Sequence, residues 1–523
     1  MRISTSQYYE SSTANYSRNY SNVVKTGEEA SDLIRVRTAA DDPVGAARLL
    51  QLEHQSSMLG QYATNTTSVR NSLSQAETTL GSINTILQRV NELALAAGNA
   101  TYGDTERKAT ATELGKLEEQ LFSLMNTRDE NGQYLFSGSK GETQPFVRNG
   151  DGTYSYQGDN TQLQLQVGDM LTMASNDTGF STFQQAINTS RTQTTLTAPT
   201  NAADVRMTLS DGQVSANIGY NDAFRANEPY TITMVSPTQF SIKDSAGNDY
   251  TSEATAAGVI DPNTTGSIAV TFRGVDLKFN VNLKEGESTA ALTGHSFTLA
   301  SKPDEINGTR SPGNTSSTQI TGTSVADPSL YAKAFPENGA VLKFGTGGAY
   351  ALYAQPLTAD SRPVAEGTLA AGATSLTAAG VTFNFNATPS DSDQYSVTVN
   401  KHQTQSILET VSQLRQALEK PVDGNPVAQQ QLRASLDSAI ANITSGQDQL
   451  GYTVTSIGAR GKALDLQELA NESLSIANSS TQSSIRDSDP AEVMTRLTLQ
   501  QTMLQASQMA FSRISQLSLF NSL

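Results

Sequence analysis

Residues 69–97 read VRNSLSQAETTLGSINTILQRVNELALAA. The apolar positions are Val69, Leu73, Ala76, Leu80, Ile83, Leu87, Val90, Ala94 and Ala97, spaced by four and three in strict alternation. That is an unbroken heptad seam and predicts one α-helix with a single apolar stripe. At ~1.5 Å per residue the stretch would extend about 43 Å. Leu52, Leu59 and Tyr62 continue the register upstream. A helix cannot hide such a stripe by itself, so a partner helix must cover it.

The candidate partners are visible in the same way. After the break at Gly98 to Gly103, Asp104 is the expected N-cap of a helix striped by Leu114, Leu117, Leu121 and Leu124. Near the other end, Ile407, Val411, Leu414 and Leu418 repeat the spacing up to Pro421. Leu432, Leu436, Ala439, Ile443, Leu450, Val454, Ile457 and Leu464 follow. Gly446 takes one seam position, where it either weakens the turn or lets a partner approach closely. Of 16 prolines, 12 fall between Pro145 and Pro389. Helix interiors exclude proline, so helical ends flank a non-helical middle. The expected fold is α+β: a long antiparallel helical bundle or coiled-coil rod built from both chain ends, with an inserted all-β region.

Two Asp-Pro steps divide the helical ends again. Asp42 suits N-cap and Pro43 the first helical position. Asp489, Pro490 and Glu492 repeat the arrangement, with Glu492 placed like the acid of a capping box. Beyond these steps lie two terminal segments. The first carries Tyr9, Thr13, Tyr16, Tyr20, Val23, Gly27, Ala30 and Ile34, again at heptad spacing, and the last carries Val493, Leu497, Leu504 and Phe511. They are expected to order only on meeting neighbouring subunits, since isolated helices are marginal in water. Tyr9, Tyr16, Tyr20, Val23, Leu497, Leu504 and Phe511 are the expected assembly contacts. The domain expectation is terminal helices at 1–42 and 486–523, a helical rod at 43–185 and 401–485 with a β-hairpin near 131–170, and a β-rich insert at 186–400.

Within the middle, residues 162–167 alternate glutamine with apolar side chains, as a strand would, after the turn signal Asn149-Gly150-Asp151-Gly152. Gly274–Asn280 resembles Gly380–Asn386. Strand-like runs precede each at 230–234 and 341–344, and follow each at 296–299 and 395–398. Two related β units are therefore expected.

Composition excludes much chemistry. The chain has 523 residues, no cysteine, no tryptophan and three histidines, His54, His295 and His402. Disulfides, thiolate nucleophiles and cysteine-ligated metals are excluded. No metal site, cofactor or catalytic residue is expected. Asp391 and Asp393 read as solvated turn residues, His295 as part of a strand and His402 as a helix start. The charge of −16 argues against nucleic acid and anionic membrane as partners. No run approaches the ~18 apolar residues of a membrane span. The N-terminus lacks the apolar region of a Sec-type signal, although the cysteine-free, Ser/Thr/Asn-rich composition looks secreted.

Several motifs resemble the hook-filament junction proteins of the bacterial flagellin superfamily. They are the opening Met1-Arg2-Ile3-Ser4-Thr5, the turn Asp41-Asp42-Pro43, the signature from Asn126 to Gly138, the following Tyr156–Asn160 hairpin, and the C-terminal junction Ser484–Asp489. The resemblance covers about 1–185 and 400–523. Members commonly place a glycine ahead of the basic residue before the Asp-Asp-Pro turn. Here Leu33 and Ile34 occupy that stretch, which leaves open where the bend lies. The resemblance implies a structural, non-enzymatic subunit of an extracellular flagellum, exported unfolded by the flagellar type III apparatus. It implies as partners further copies of the chain in a ring, hook-associated protein 1, flagellin and an export chaperone. Flagellin itself, or a coiled-coil surface adhesin, remains an alternative.

Overall fold

The computed structural model describes residues 5–99, 101–149, 152–201, 204–264, 266–358 and 360–520. Met1 to Ser4 of the opening motif, and Gly150 and Asp151 of the turn signal, lie outside the described residues. The long helices are α1 (Thr5–Asp32), α2 (Pro43–Ala97), α3 (Asp104–Met125), α4 (Ile407–Glu419), α5 (Pro426–Arg486) and α6 (Pro490–Phe520). Among the described residues no helix is long and apolar enough to cross a membrane. The chain divides into two compact units. One holds Met1–Ala76, Gln162–Asn176 and Ser456–Leu523, the other Glu77–Thr161 and Asp177–Thr455.

In the first unit, Val69 and Leu73 of α2 are buried, as is Leu464 of α5. Asn478 Nδ2 donates to the Leu52 carbonyl at 2.9 Å. Arg70 pairs with Asp465 and Glu468, each at 2.7 Å. Partner numbers fall as the α2 numbers rise, so the helices run antiparallel. A hairpin of Gln164–Gly168 and Leu171–Ala174 is fixed to them by its main chain. Asn65 and Asn471 donate to the carbonyls of Gln166 and Val167 at 2.7 and 2.9 Å.

In the second unit, Leu80, Ile83, Leu87 and Val90 are fully buried. Gln447 donates to Asn84 at 3.3 Å, again in antiparallel sense. α3 packs on α4, and the buried Glu118 carboxylate joins them. It accepts from Arg415 Nε at 2.7 Å and from the Tyr154 hydroxyl at 2.6 Å. Gly446 serves close approach: a β-carbon there would stand 3.0 Å from Ile407 Cγ1. Asp104 departs from its expected role. It is the first residue of α3, Gly103 takes the cap position, and the Asp104 carboxylate instead accepts from the Val422 amide at 2.9 Å and pairs with Arg107 at 2.7 Å. Loop 420–425 passes close enough to compete for that carboxylate.

The middle forms two β units of the same topology. In the first, strands Gln239–Asp244, Tyr230–Ser236, Ser296–Ser301 and Thr192–Ala198 make one sheet in that order. Ser267–Phe272, Val275–Val281 and Met207–Leu209 make the other. In the second, Ala349–Ala354, Ala340–Phe344, Gln394–Asn400 and Glu305–Arg310 correspond to the larger sheet, with Pro363–Thr368 added at its edge. Ser375–Ala378, Val381–Phe385 and Ile320–Val325 correspond to the smaller one. Each has its own core, built around Phe224, Tyr230 and Phe272 in one and Phe344, Phe385 and Tyr395 in the other. The repeat recognised in the sequence is the hairpin entering the central strand of each smaller sheet. Its turns are Arg273-Gly274 (φ 47° and 79°) and Ala379-Gly380 (φ 47° and 81°). Both residues of each turn are left-handed, as a two-residue hairpin of the favoured twist requires.

Candidate functional site

Two short segments carry the chain between the terminal helices and the rest of the first unit. Asp42 Oδ1 accepts from the Gly45 amide at 2.8 Å, and Pro43 is the first residue of α2. Asp489 Oδ1 accepts from the Ala491 amide at 2.8 Å, and Pro490 opens α6, with Glu492 in its first turn. These carboxylates occupy amide donors that a helix start leaves unpaired. Asp41, next to the first cap, gathers the turn. Its carboxylate accepts from Lys25 Nζ at 2.6 Å and from the Thr38 amide at 3.0 Å. The Lys25 ammonium and the Thr38 donors hold its pKa well below the usual carboxylate range.

The bend lies at Leu33-Ile34. α1 stops at Asp32, and Leu33 itself adopts φ 56°. For a residue with a β-carbon this conformation costs roughly 1–2 kcal/mol. The surroundings fix it: the Ser488 amide donates to the Leu33 carbonyl at 2.9 Å and the Arg35 amide to the Arg486 carbonyl at 2.7 Å. Ile34 and Asp487 thereby form an antiparallel bridge. Arg37 clamps the end of α1 through Glu28 at 3.1 Å and Asp32 at 2.7 Å.

Beyond the bend, α1 and α6 pair antiparallel within one chain. Arg496 meets Glu29 at 2.5 Å, Asn19 Nδ2 donates to Ser507 Oγ at 2.6 Å, and Tyr16 stacks on Phe511 with ring centres 6.2 Å apart. Among the described side chains the pair buries few apolar groups. Val493 is 1% exposed, whereas Tyr16, Val23, Leu497, Leu504 and Phe511 are half-buried. Tyr20 stands 55% exposed, so the heptad seam expected on α1 is corrected at that position and at Thr13, also exposed. The covered stripe runs instead through Ser12, Tyr16, Asn19, Val23 and Thr26. Polar pairs such as Asn19–Ser507 and Glu29–Arg496 set the rotation of α1, and apolar periodicity does not report them. Tyr9 lies on α1 with its side chain outside the described residues. On the outer face Val24, Met494, Leu499, Met503 and Met509 are 44%, 55%, 56%, 52% and 62% exposed. This unpartnered apolar face, displayed on a capped helix pair, is the candidate functional site.

The signature residues 126–138 fold in the second unit. Asn126 takes both backbone groups of Phe146, at 2.9 and 3.1 Å. Asp129 accepts from the amides of Asn131 and Gln133 at 2.9 and 2.8 Å. Phe136 is fully buried against Phe183, ring centres 4.9 Å apart. Gly138 (φ 70°) lies against Asp159, leaving no room for a side chain. These residues weld the end of α3 to the hairpin beside it.

Chemistry-bearing residues elsewhere serve the fold. Asp391 is exposed, but Asp393 is fully buried, which corrects the expectation of a solvated pair. It accepts from Ser316 Oγ and from the Ser390 amide, closing a loop over Tyr395. His295 precedes its strand and is buried, its Nδ1 3.0 Å from the Leu292 carbonyl. His402 sits in a left-handed turn (φ 53°) well before α4, not at its start, with Nε2 3.0 Å from the Pro303 carbonyl. Among the described residues no group of three or more His, Cys, Asp or Glu could hold a metal ion.

The family model of the bacterial flagellin N-terminal helical region matches residues 3–141, and that of the flagellin C-terminal helical region matches residues 433–523. Flagellar hook-associated protein 3 of Salmonella typhimurium is 33% identical over 183 residues, 35% of this chain and 57% of that protein. Its Escherichia coli namesake is 34% identical over 146 residues, 28% of this chain and 46% of that protein. The chain thus spans about half the length of the curated relatives it matches. The crystal structure of hook associated protein-3 from Legionella pneumophila aligns with 83% of this chain and 98% of its own at 21% identity, with a TM-score of 0.45.

Proposed function

From two ends that are flagellin-type helical regions, we propose that this chain is a structural subunit of the bacterial flagellum. It forms the junction ring between hook-associated protein 1 and the flagellin filament. The observation that carries this reading is the capped α1–α6 pair with its outer apolar face unpartnered. Such a face needs neighbours, and on identical subunits it supports a head-to-tail, ring- or helix-generating contact. The hook-associated names of the relatives at 33% and 34% identity favour a junction subunit over a filament flagellin.

In this reading Tyr9, Tyr16, Tyr20, Val23, Leu497, Leu504 and Phe511 face neighbouring subunits. The seam residues from Val69 to Val90 maintain the helical rod. The terminal helices at 1–42 and 486–523 gain most of their order from those neighbours, and the β units face outward. The role is structural, without catalysis or cofactor. The chain is exported unfolded through the flagellar type III route with a chaperone on a terminal helix. Freedom from cysteine spares such a chain cross-linking on the way.

The test is an image of isolated flagella labelled on this protein. A single band at the hook end is expected. Label along the filament, or growth of long homopolymers from purified protein, refutes the junction reading. A stable trimer in sedimentation would favour an adhesin stalk instead.

A further inference from the structure

A cleft of about 1250 Å³ opens in the second unit, lined both by the β insert and by α4 and α5. Two periodicities in the sequence build its walls. On α5, Gln431, Ser435, Ser438 and Asn442 each stand one place ahead of a residue of the buried seam from Leu432 to Ile443. They share one face of the helix beside that seam, over about 16 Å. In the strand Glu305–Arg310, Ile306 turns into the core of the second β unit, so Glu305, Asn307 and Thr309 face the other way. They extend over about 13 Å. Both rows line the cleft.

The walls are tied together at one end. The Thr189 amide donates to Asn442 Oδ1 at 2.8 Å, the Ser190 and Ser438 hydroxyls lie 2.9 Å apart, and Lys278 pairs with Asp437 at 2.8 Å. Toward the other end the polar groups are open. Asn307, Thr309 and Gln431 are exposed, and among the described residues their side chains make no hydrogen bond. Sixteen of the 26 lining residues are Ser, Thr, Asn or Gln, whose side chains both donate and accept. Three are apolar, Leu414, Ala434 and Ala439, too few for a lipid or for the side-chain pockets of a peptide. Lys302 and Lys420 are offset by Asp211, Glu305 and Glu409, and Asp211 and Glu305 already act on the Lys302 ammonium. That balance does not select a phosphate. The lining matches a ligand that is neutral, elongated and rich in hydroxyls.

We propose that this cleft binds a neutral oligosaccharide, laid between the strand Glu305–Arg310 and α5. Its hydroxyls exchange hydrogen bonds with Asn307 and Thr309 on one wall and with Gln431 and Ser435 on the other. Tyr154 is the one aromatic ring in the lining, so hydrogen bonds rather than stacking carry the affinity. A few such bonds to groups that water also reaches give a dissociation constant of about 1 mM. The site gives the β insert a role separate from assembly, contact with polysaccharide.

The probes are maltotriose, cellotriose and chitotriose, each titrated into the purified full chain and followed by saturation-transfer NMR. At least one should bind saturably. Ser435→Phe fills the cleft and should weaken that binding at least about tenfold, while Ser473→Phe, on an exposed face of α5 in the other unit, should leave it unchanged. Asn307→Ala, an exposed strand position, should weaken it about fivefold and tests the site even where Ser435→Phe does not fold. Crystals soaked in the same sugar should show it between Asn307 and Gln431. No saturation with any of the three sugars, equal affinity in wild type and Asn307→Ala, or sugar density elsewhere on the chain overturns the proposal. The purified chain suffices for every arm, so the outcome does not depend on where the subunit sits in a flagellum.

Discussion

Leu504→Asp separates assembly from folding. Leu504 is only half-buried, on the stripe of α6 that meets α1, so the free subunit has less packing there to lose than at a core position. Leu80 is the calibration, being fully buried in the seam of α2. Leu80→Ala removes buried methyl groups and leaves a cavity, at about 2.5–5 kcal/mol. For a unit of this size that lowers the main thermal transition by roughly 5–15 °C. Leu504→Asp should move the same transition by less than about 1 °C. In the assembled ring Leu504 is expected to be covered. Losing about 2 kcal/mol of apolar burial there corresponds to roughly 30-fold weaker association, before the cost of burying a carboxylate is added. The assay pairs calorimetry of the free subunit with co-sedimentation onto hook ends, with Val493→Ala as an internal marker because Val493 is already covered within the pair. If Leu504→Asp lowers the main transition as far as Leu80→Ala, α6 belongs to the ordinary core and the coupled-folding argument is wrong. Limited proteolysis gives a second reading, since segments 1–40 and 485–523 should be cut first; uniform resistance along the chain would contradict it.

Leu33→Gly should raise the urea midpoint of the first unit by the equivalent of about 0.5–1 kcal/mol, because relief of the left-handed backbone exceeds the added freedom of glycine in the unfolded chain; a lower midpoint would mean that the Leu33 side chain contributes more than its exposure suggests. On α5, a β-carbon added at Gly458 would meet nothing within 4 Å, whereas one at Gly446 would face Ile407 at 3.0 Å. Gly458→Ala should therefore stabilise by about 0.8–1 kcal/mol and Gly446→Val should destabilise by roughly 1–3 kcal/mol, both read from chemical denaturation. Asp204 in the first β unit is held well below its ordinary pKa, first by hydrogen bonding to Arg206. A folded pKa below the unfolded value gives stability that is fully present above about pH 4 and is lost as pH falls further toward the folded value. Melts of the wild type should therefore decline below about pH 4, and Asp204→Asn should flatten that part of the decline; an unchanged slope would remove the ion pair from the account.

The rod helices were legible because burial alone chose their residues. From Val69 to Val90 the seam positions carry side chains with nothing but packing to satisfy, so a period of 3.5 in the sequence is a direct image of the covered face. The terminal pair was less legible for the converse reason. Its rotation is set by Asn19, Glu29 and Arg496, whose partners lie nearly the whole chain away. Polar pairing has no period to read. The bend at Leu33 was hidden for another reason: a left-handed residue announces itself when it is glycine, and here the Ser488 and Arg35 bridges hold a leucine in place.

The β repeat shows how far a local signal can be pushed. Gly274 and Gly380 stood out because each must be left-handed and each lies against backbone, next to Ala216 and Tyr220 in one unit and Asp327 and Tyr331 in the other. Those neighbours reveal a second match that the spacing of the strands concealed. Tyr220 and Phe224 stack with ring centres 5.3 Å apart, and Tyr331 and Phe335 meet at a tilt of 36° with centres 5.4 Å apart. The amides of Ser215 and Ala216 donate to the Gly274 carbonyl, just as those of Ala326 and Asp327 donate to the Gly380 carbonyl. A Tyr-x-x-x-Phe turn over a glycine hairpin is thus the common element, and the loops between are free to differ in length. Because each copy closes around its own aromatic core, a unit can be gained or lost without exposing the other's core. Extra copies then add to the insert while leaving the α2 and α5 seams unchanged.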